Sequence, residues 1–124
     1  MRSVLLLAAA TVALAAPAFA QSTDRNASAQ SFARACMASP QMSGYADPEP
    51  SCACAAGVLS GQSNDRQFYI AGRLTAFAND NDAMRSEAQR MVAEGYRPEE
   101  ILEVGDIMTR ASVLVTNTCS AFER

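Results

Sequence analysis

PEEILEVGDIMTRASVLVTNTCSAF, residues 98–122, is the stretch on which the reading of the fold turns. Pro98 fits a first helical position, where the missing N–H costs nothing because that donor has no partner in the helix anyway. Glu99 and Glu100 follow in the first turn, where the positive end of the helix dipole favours acids. Ile101, Val104, Met108, Ala111, Val115 and Cys119 then recur at spacings of three and four, the period of one helix face. Ile107, Leu114, Thr118 and Phe122 widen that face. A stripe so broad needs covering on more than one side, so the segment reads as a spine for shorter helices, with Cys119 part of its buried surface.

Upstream of the spine the signals are also helical. Ala, Arg, Glu, Met and Leu dominate, and no Asn-Gly or Asp-Gly hairpin turn separates β-branched runs. Gly95 reads as the residue that closes a fourth helix, which carries Met84, Ala88, Met91 and Val92 on one side and opens at Asn79-Asp80-Asn81-Asp82. A third helix over 65–78 places Ile70, Leu74 and Phe77 on one stripe with Phe68 and Ala71 beside it. Gly61-Gln62-Ser63-Asn64 is expected to be the turn before it. A short second helix over 51–59 has Ser51 placed to cap it. The first helix, over 24–38, has Ser22 or Thr23 as cap and Ala29, Phe32, Ala33 and Cys36 on one face. Between them, 39–51 contains three prolines and a glycine and reads as a loop anchored by Tyr45. The expected fold is all-α, a compact bundle of four or five helices.

The amino terminus has a different character. Met1-Arg2-Ser3 is a short positive start, Val4 to Ala16 is apolar except for Thr11, and Ala18-Phe19-Ala20 is the small-x-small pattern preceding signal-peptidase cleavage. Pro17 ends the run short of the ~20 apolar residues that a membrane span requires. Residues 1–20 are therefore read as a signal peptide cleaved after Ala20, and 21–124 as a single helical domain with no membrane span. The whole chain has 10 Lys plus Arg against 13 Asp plus Glu, net −3. Loss of the leader removes Arg2 and leaves −4, an acidic balance that argues against nucleic acid or anionic lipid as partner. Arg in place of every Lys, beside abundant Ala, points to a GC-rich bacterial genome, and with a leader the expected location is the periplasm.

Export changes the meaning of the 4 cysteines, Cys36, Cys52, Cys54 and Cys119. In an oxidising compartment an even count in a small domain implies disulfides. Bonding Cys52 to Cys54 would close a strained ring and staple nothing. Residues two apart on a helix differ by about 200° in direction, so these two point to opposite sides and reach different neighbours. One should bond Cys36 and the other Cys119; a shift of one residue in the helix start reverses which does which.

Competing uses of these residues find less support. Cys-x-Cys with Met37, Met42, Met84, Met91 and Met108 would suit Cu(I), but diverging sulfurs chelate poorly, and the last three methionines lie on apolar stripes. Thiol-disulfide catalysis ordinarily uses Cys-x-x-Cys at a helix start, which is not the spacing here. With no His and no Lys, the serines lack an activating base, and no Gly-x-x-x-x-Gly-Lys phosphate loop exists. Counting Asp80 as the first position of a calcium loop puts Met91, not Glu, at the twelfth. No catalytic residue, cofactor or metal is expected.

Three resemblances can be placed on particular residues. Met84 to Gly95 followed by Pro98-Glu99-Glu100-Ile101-Leu102 is similar to the helical hairpin of the CcmH-type thiol-reductases of cytochrome c maturation, without the Cys-x-x-Cys that defines them. The leader, the helical content and a Cys late in the last helix, with Pro98-Glu99-Glu100 opening it, resemble the small acid-activated periplasmic chaperones of the HdeA type. That likeness implies holding unfolded clients through helix faces. The layout Phe32-x-x-x-Cys36, Cys52-x-Cys54 and Cys119 resembles small exported all-α proteins of proteobacteria, a likeness that implies no activity. The functional expectation is a non-enzymatic periplasmic protein-interaction module, chaperone-like or inhibitor-like, with a copper binder or a thiol-redox partner as alternatives.

Overall fold

The computed structural model describes residues 24–122; the leader expected over 1–20 lies outside them. Five α-helices form among the described residues: α1 Arg25–Met37, α2 Glu49–Gln62, α3 Asp65–Thr75, α4 Asn81–Ala93 and α5 Pro98–Cys119. Single 3-10 turns follow α1 and α5, at Pro40–Met42 and Ser120–Phe122. The all-α bundle stapled by two disulfides is therefore the fold observed.

Several helix ends differ from the sequence reading, each for a local reason. Asp24 caps α1, its carboxylate accepting from the backbone N–H groups of Asn26 and Ala27 at 3.0 and 3.2 Å, the role expected of Ser22 or Thr23. α2 begins at Glu49 rather than Ser51. The prolines at 48 and 50, read as loop residues, sit at the start of the helix, where proline is tolerated because first-turn N–H groups have no helical partner. Asp47 Oδ1 accepts from the Glu49 N–H at 3.1 Å. Ser51 is consequently a buried residue inside the first turn and not a cap. At its other end α2 runs through Gly61 and Gln62 and stops only where Asn64 opens α3. Asn64 and Gln67 form a reciprocal capping box, Gln67 N–H donating to Asn64 Oδ1 at 2.8 Å and Asn64 N–H to Gln67 Oε1 at 2.9 Å. α3 ends at Thr75, so Phe77 lies in the turn beyond the helix. Asp80 caps α4, Gly95 (φ 105°) closes it in the left-handed region as expected, and Glu100 reaches back to the Arg97 N–H to start α5.

The core gathers Phe32 from α1, Leu59 from α2, Phe68, Ile70 and Leu74 from α3, Met91 from α4, and Ile101, Val104 and Ile107 from α5. Phe32 and Phe68 meet with ring centroids 6.1 Å apart, within the range of a favourable aromatic pair. α1 packs chiefly on α3 and α2, and α5 on α2 and α3, while α4 is the least engaged helix. What holds α4 is partly polar: Glu87 is buried in a position flanked on the stripe by Met84 and Met91, whereas Val92, expected on that side, is exposed. Arg73 of α3 donates to Glu87 Oε1 at 2.6 Å and also pairs with Glu94.

Cys36 bonds Cys52, and Cys54 bonds Cys119. The two residues of the Cys-x-Cys therefore serve opposite sides of α2, as helix geometry requires, and the pairing left open by the sequence is settled. α2 is the hub, tied covalently to the end of α1 and the end of α5.

Candidate functional site

α2 and α5 each turn a second stripe toward a concavity of about 420 Å³. On α2 it is Ser51, Ala55 and Leu59, at spacings of four; on α5 it is Met108, Ala111, Ser112, Val115, Thr116 and Cys119, at three and four. Phe32 and Cys36 close one end from α1, and Met42 and Tyr45 form a lip from the segment after it. The groove thus runs alongside both disulfides, and its walls are fixed by covalent bonds as well as by packing.

Its chemistry is uniform. No Asp, Glu, Lys or Arg lines it, although 19% of the whole chain is charged. Most of its polar side chains already have partners: Thr75, Ser112 and Thr116 donate to backbone carbonyls of their own helices at 2.7, 2.6 and 3.0 Å, and Gln41 and Ser39 bond Asn79 at 3.2 and 3.1 Å. The hydroxyls of Ser51 and Tyr45 are the exceptions, with no hydrogen bond among the described residues.

Outside the groove lining, the last turns of α5 and the 3-10 turn after it leave apolar side chains in solvent. Val113 is 62%, Leu114 42% and Phe122 43% exposed. The sequence pattern placed Leu114 and Phe122, with Thr118, on the buried face; all three are exposed. Val115 and Met108 are half-buried at the groove wall, and Ile101, Val104, Ala111 and Cys119 are buried as the pattern implied.

A second, charged cluster lies on the far side of the bundle. Arg73 is gripped by Glu94 and by Glu87, and Arg90 sits 3.0 Å from Glu87 Oε2, a charge contact outside hydrogen-bonding geometry. The hydrogen bond from Arg73 holds the Glu94 carboxyl below the usual carboxylate range, and its bonds to Glu94 and Glu87 raise Arg73 itself. Arg66 likewise bonds Glu100, lowering it, with the Arg97 N–H adding to the effect, and lies over the Tyr96 ring at 4.4 Å. Each carboxylate in this cluster is paired with an arginine, and Glu87 Oε2 is the one buried side-chain oxygen among the described residues without a hydrogen bond. Nothing in the sequence distinguished Glu87 from its exposed neighbours except its place three after Met84 and four before Met91.

The candidate residues of the Cys-x-Cys come together as staples. All four sulfurs are in disulfides, no cysteine is free, and no cluster of His, Cys, Asp and Glu able to hold a metal exists among the described residues. Among them, too, no helix is long and apolar enough to cross a membrane, and with the two disulfides this is compatible with an extracellular or periplasmic protein. No protein-family model matches the chain, and neither a curated protein nor a solved structure matches it.

Proposed function

We propose that the protein is a non-enzymatic interaction module of the periplasm, chaperone-like or inhibitor-like, which receives an apolar part of another polypeptide in the groove between α2 and α5. One observation carries the reading: a concavity of about 420 Å³ without a charged side chain among its described lining residues. Export through the leader at 1–20 supplies the compartment, and the disulfides keep the groove formed before a partner arrives, which limits the ordering cost of binding. A thiolate copper site or a thiol-redox partnership would first require reduction of bonds on which the fold depends.

The test is suppression of aggregation. Light scattering of thermally unfolding citrate synthase is followed with and without the oxidised protein, at neutral and at acidic pH. Suppression is expected, and its loss in Ala55→Glu and in Ser112→Glu, which place a carboxylate on opposite walls of the groove. Absence of suppression at both pH values, from protein shown to be folded, would sink the proposal.

A further inference from the structure

We infer that α4 is a latched cover: residues 81–93 leave the bundle as one unit, between two fixed points, while the rest stays folded and bares the sides of α3 and α5 on which α4 had packed. The inference does not depend on the groove. It begins from what each helix has to hold it. α3 buries Phe68, Ile70 and Leu74, and α5 buries Ile101, Val104 and Ile107. α1 buries only Ser28 and Phe32 but is bonded to α2 through Cys36–Cys52, and α2 is bonded to α5 through Cys54–Cys119. α4 has neither resource. Met91 is its one buried apolar side chain, and no disulfide reaches it.

Much of the remaining hold is one guanidinium. Arg73 of α3 donates to Glu87 Oε1 at 2.6 Å and pairs with Glu94, fastening the middle and the end of α4 together. The closed position has a cost of its own. Glu87 is 4% exposed, and its Oε2 accepts no hydrogen bond, the contact with Arg90 being one of charge alone. Water satisfies that oxygen once α4 is open. Both flanks have anchors that do not involve α4. Asn79 donates to Ser39 Oγ at 3.1 Å and accepts from Gln41 at 3.2 Å. Tyr96 is buried and stacks on Tyr69, with ring centroids 6.3 Å apart. Held at both ends, α4 opens by unwinding rather than by swinging, because a detached helix of 13 residues is marginal in water. Local units of this kind open far more often than the whole molecule unfolds.

The experiment uses the oxidised protein and needs no ligand. With no Lys in the chain, trypsin cuts only after Arg. Arg85 and Arg90 lie in α4, and Arg34 in α1 and Arg110 in α5 are exposed as they are, so surface access alone favours none of the four. Brief trypsin treatment, then reduction and intact mass, should show the first cuts at Arg85 and Arg90. Native-state hydrogen exchange should show the amides from Ala88 to Ala93 sharing one opening equilibrium, at least about a hundredfold above that of Val104 and Ile107. In Arg73→Met, cutting and exchange at α4 should both rise at least about tenfold. Glu94→Gln removes the exposed partner and keeps the buried one; it should raise both about threefold and serves if Arg73→Met fails to fold. Leu59→Ala weakens the closed and open forms alike, so the opening of α4 should stay within about twofold while Val104 and Ile107 lose protection. First cuts at Arg34 or Arg110, or α4 amides that open no more often than those of Val104 and Ile107, would overturn the cover. Opening that neither Arg73→Met nor Glu94→Gln alters would overturn the latch.

Discussion

The two ends of α5 are built from the same repeating pattern and live in different surroundings. At the first end, Ile101, Val104 and Ile107 are buried and Glu100 is bonded to Arg66 of α3, while Leu102 on the outer face is exposed. At the second, Val113, Leu114 and Phe122 stand in solvent, Val115 edges the groove, and Cys54–Cys119 fastens the helix to α2. The first end is held by packing and an ion pair; the second, which borders the groove, is held by a disulfide as well. The difference shows how a small domain can keep an apolar concavity open without letting the helix that borders it fray.

The largest effect should come from removing that tie. Cys54→Ala with Cys119→Ala opens a loop whose ends are 65 residues apart, worth about 4 kcal/mol in the chain-entropy description. Chemical denaturation should register the loss. Hydrogen exchange should accelerate from Ser112 to Cys119 well before it does from Ile101 to Ile107. Equal acceleration throughout α5 would mean that the two ends are one cooperative unit and that the contrast has no energetic content.

Side-chain truncation sharpens the same contrast. Ile107→Ala, in the packed half, should cost about 3 kcal/mol through lost burial and the cavity left behind. Val113→Ala, in the open half, should stay within about 0.5 kcal/mol. Thermal or urea melts read both, and a large loss at Val113 would show that it is covered in solution, by a second copy for instance.

A modest effect is electrostatic and touches chiefly the packed end. Glu100 is held below its ordinary value of 4.5 by the Arg66 hydrogen bond, and Glu94 by that of Arg73. A carboxyl lowered in the folded state contributes stability that is present above its ordinary value and is lost as pH falls through the folded one. Arg66 and Arg73 are raised above the ordinary arginine value by the same hydrogen bonds, so their share is complete at all lower pH and is lost only in strong alkali. Melting temperature should thus be level from neutral pH to about 5 and decline below it. Glu100→Gln should cost about 1 kcal/mol at neutral pH and make the decline shallower. A decline unchanged in that variant would place the acid sensitivity elsewhere.

The fold was legible because the helices announce themselves by period and punctuation: Asp80 before α4, Gly95 after it and Pro98 at the head of α5. The diverging Cys52 and Cys54 were legible for the same reason, since helix geometry alone separates them. The groove was not. Periodicity reports that Leu114 and Val115 belong to an apolar face, but whether that face meets a neighbour or a vacancy depends on how far the shorter helices reach along α5. The start of α2 misled because proline forms both loops and first helical turns, and only tertiary packing of Ser51 decides between them. Glu87 was hidden because its partner, Arg73, comes from another helix.

The position of Cys119 also bears on how the molecule is made. Cys36, Cys52 and Cys54 all precede it in the chain, so in an oxidising compartment entered amino terminus first there is a stage with three thiols that can form only one bond. A ring through Cys54 is just two residues larger than the native ring through Cys52, and chain statistics scarcely distinguish them. What distinguishes them is α2: once it is helical, Cys52 faces α1 and Cys54 turns away. The helix therefore sorts the thiols, leaving Cys54 for the partner that lies later in the chain.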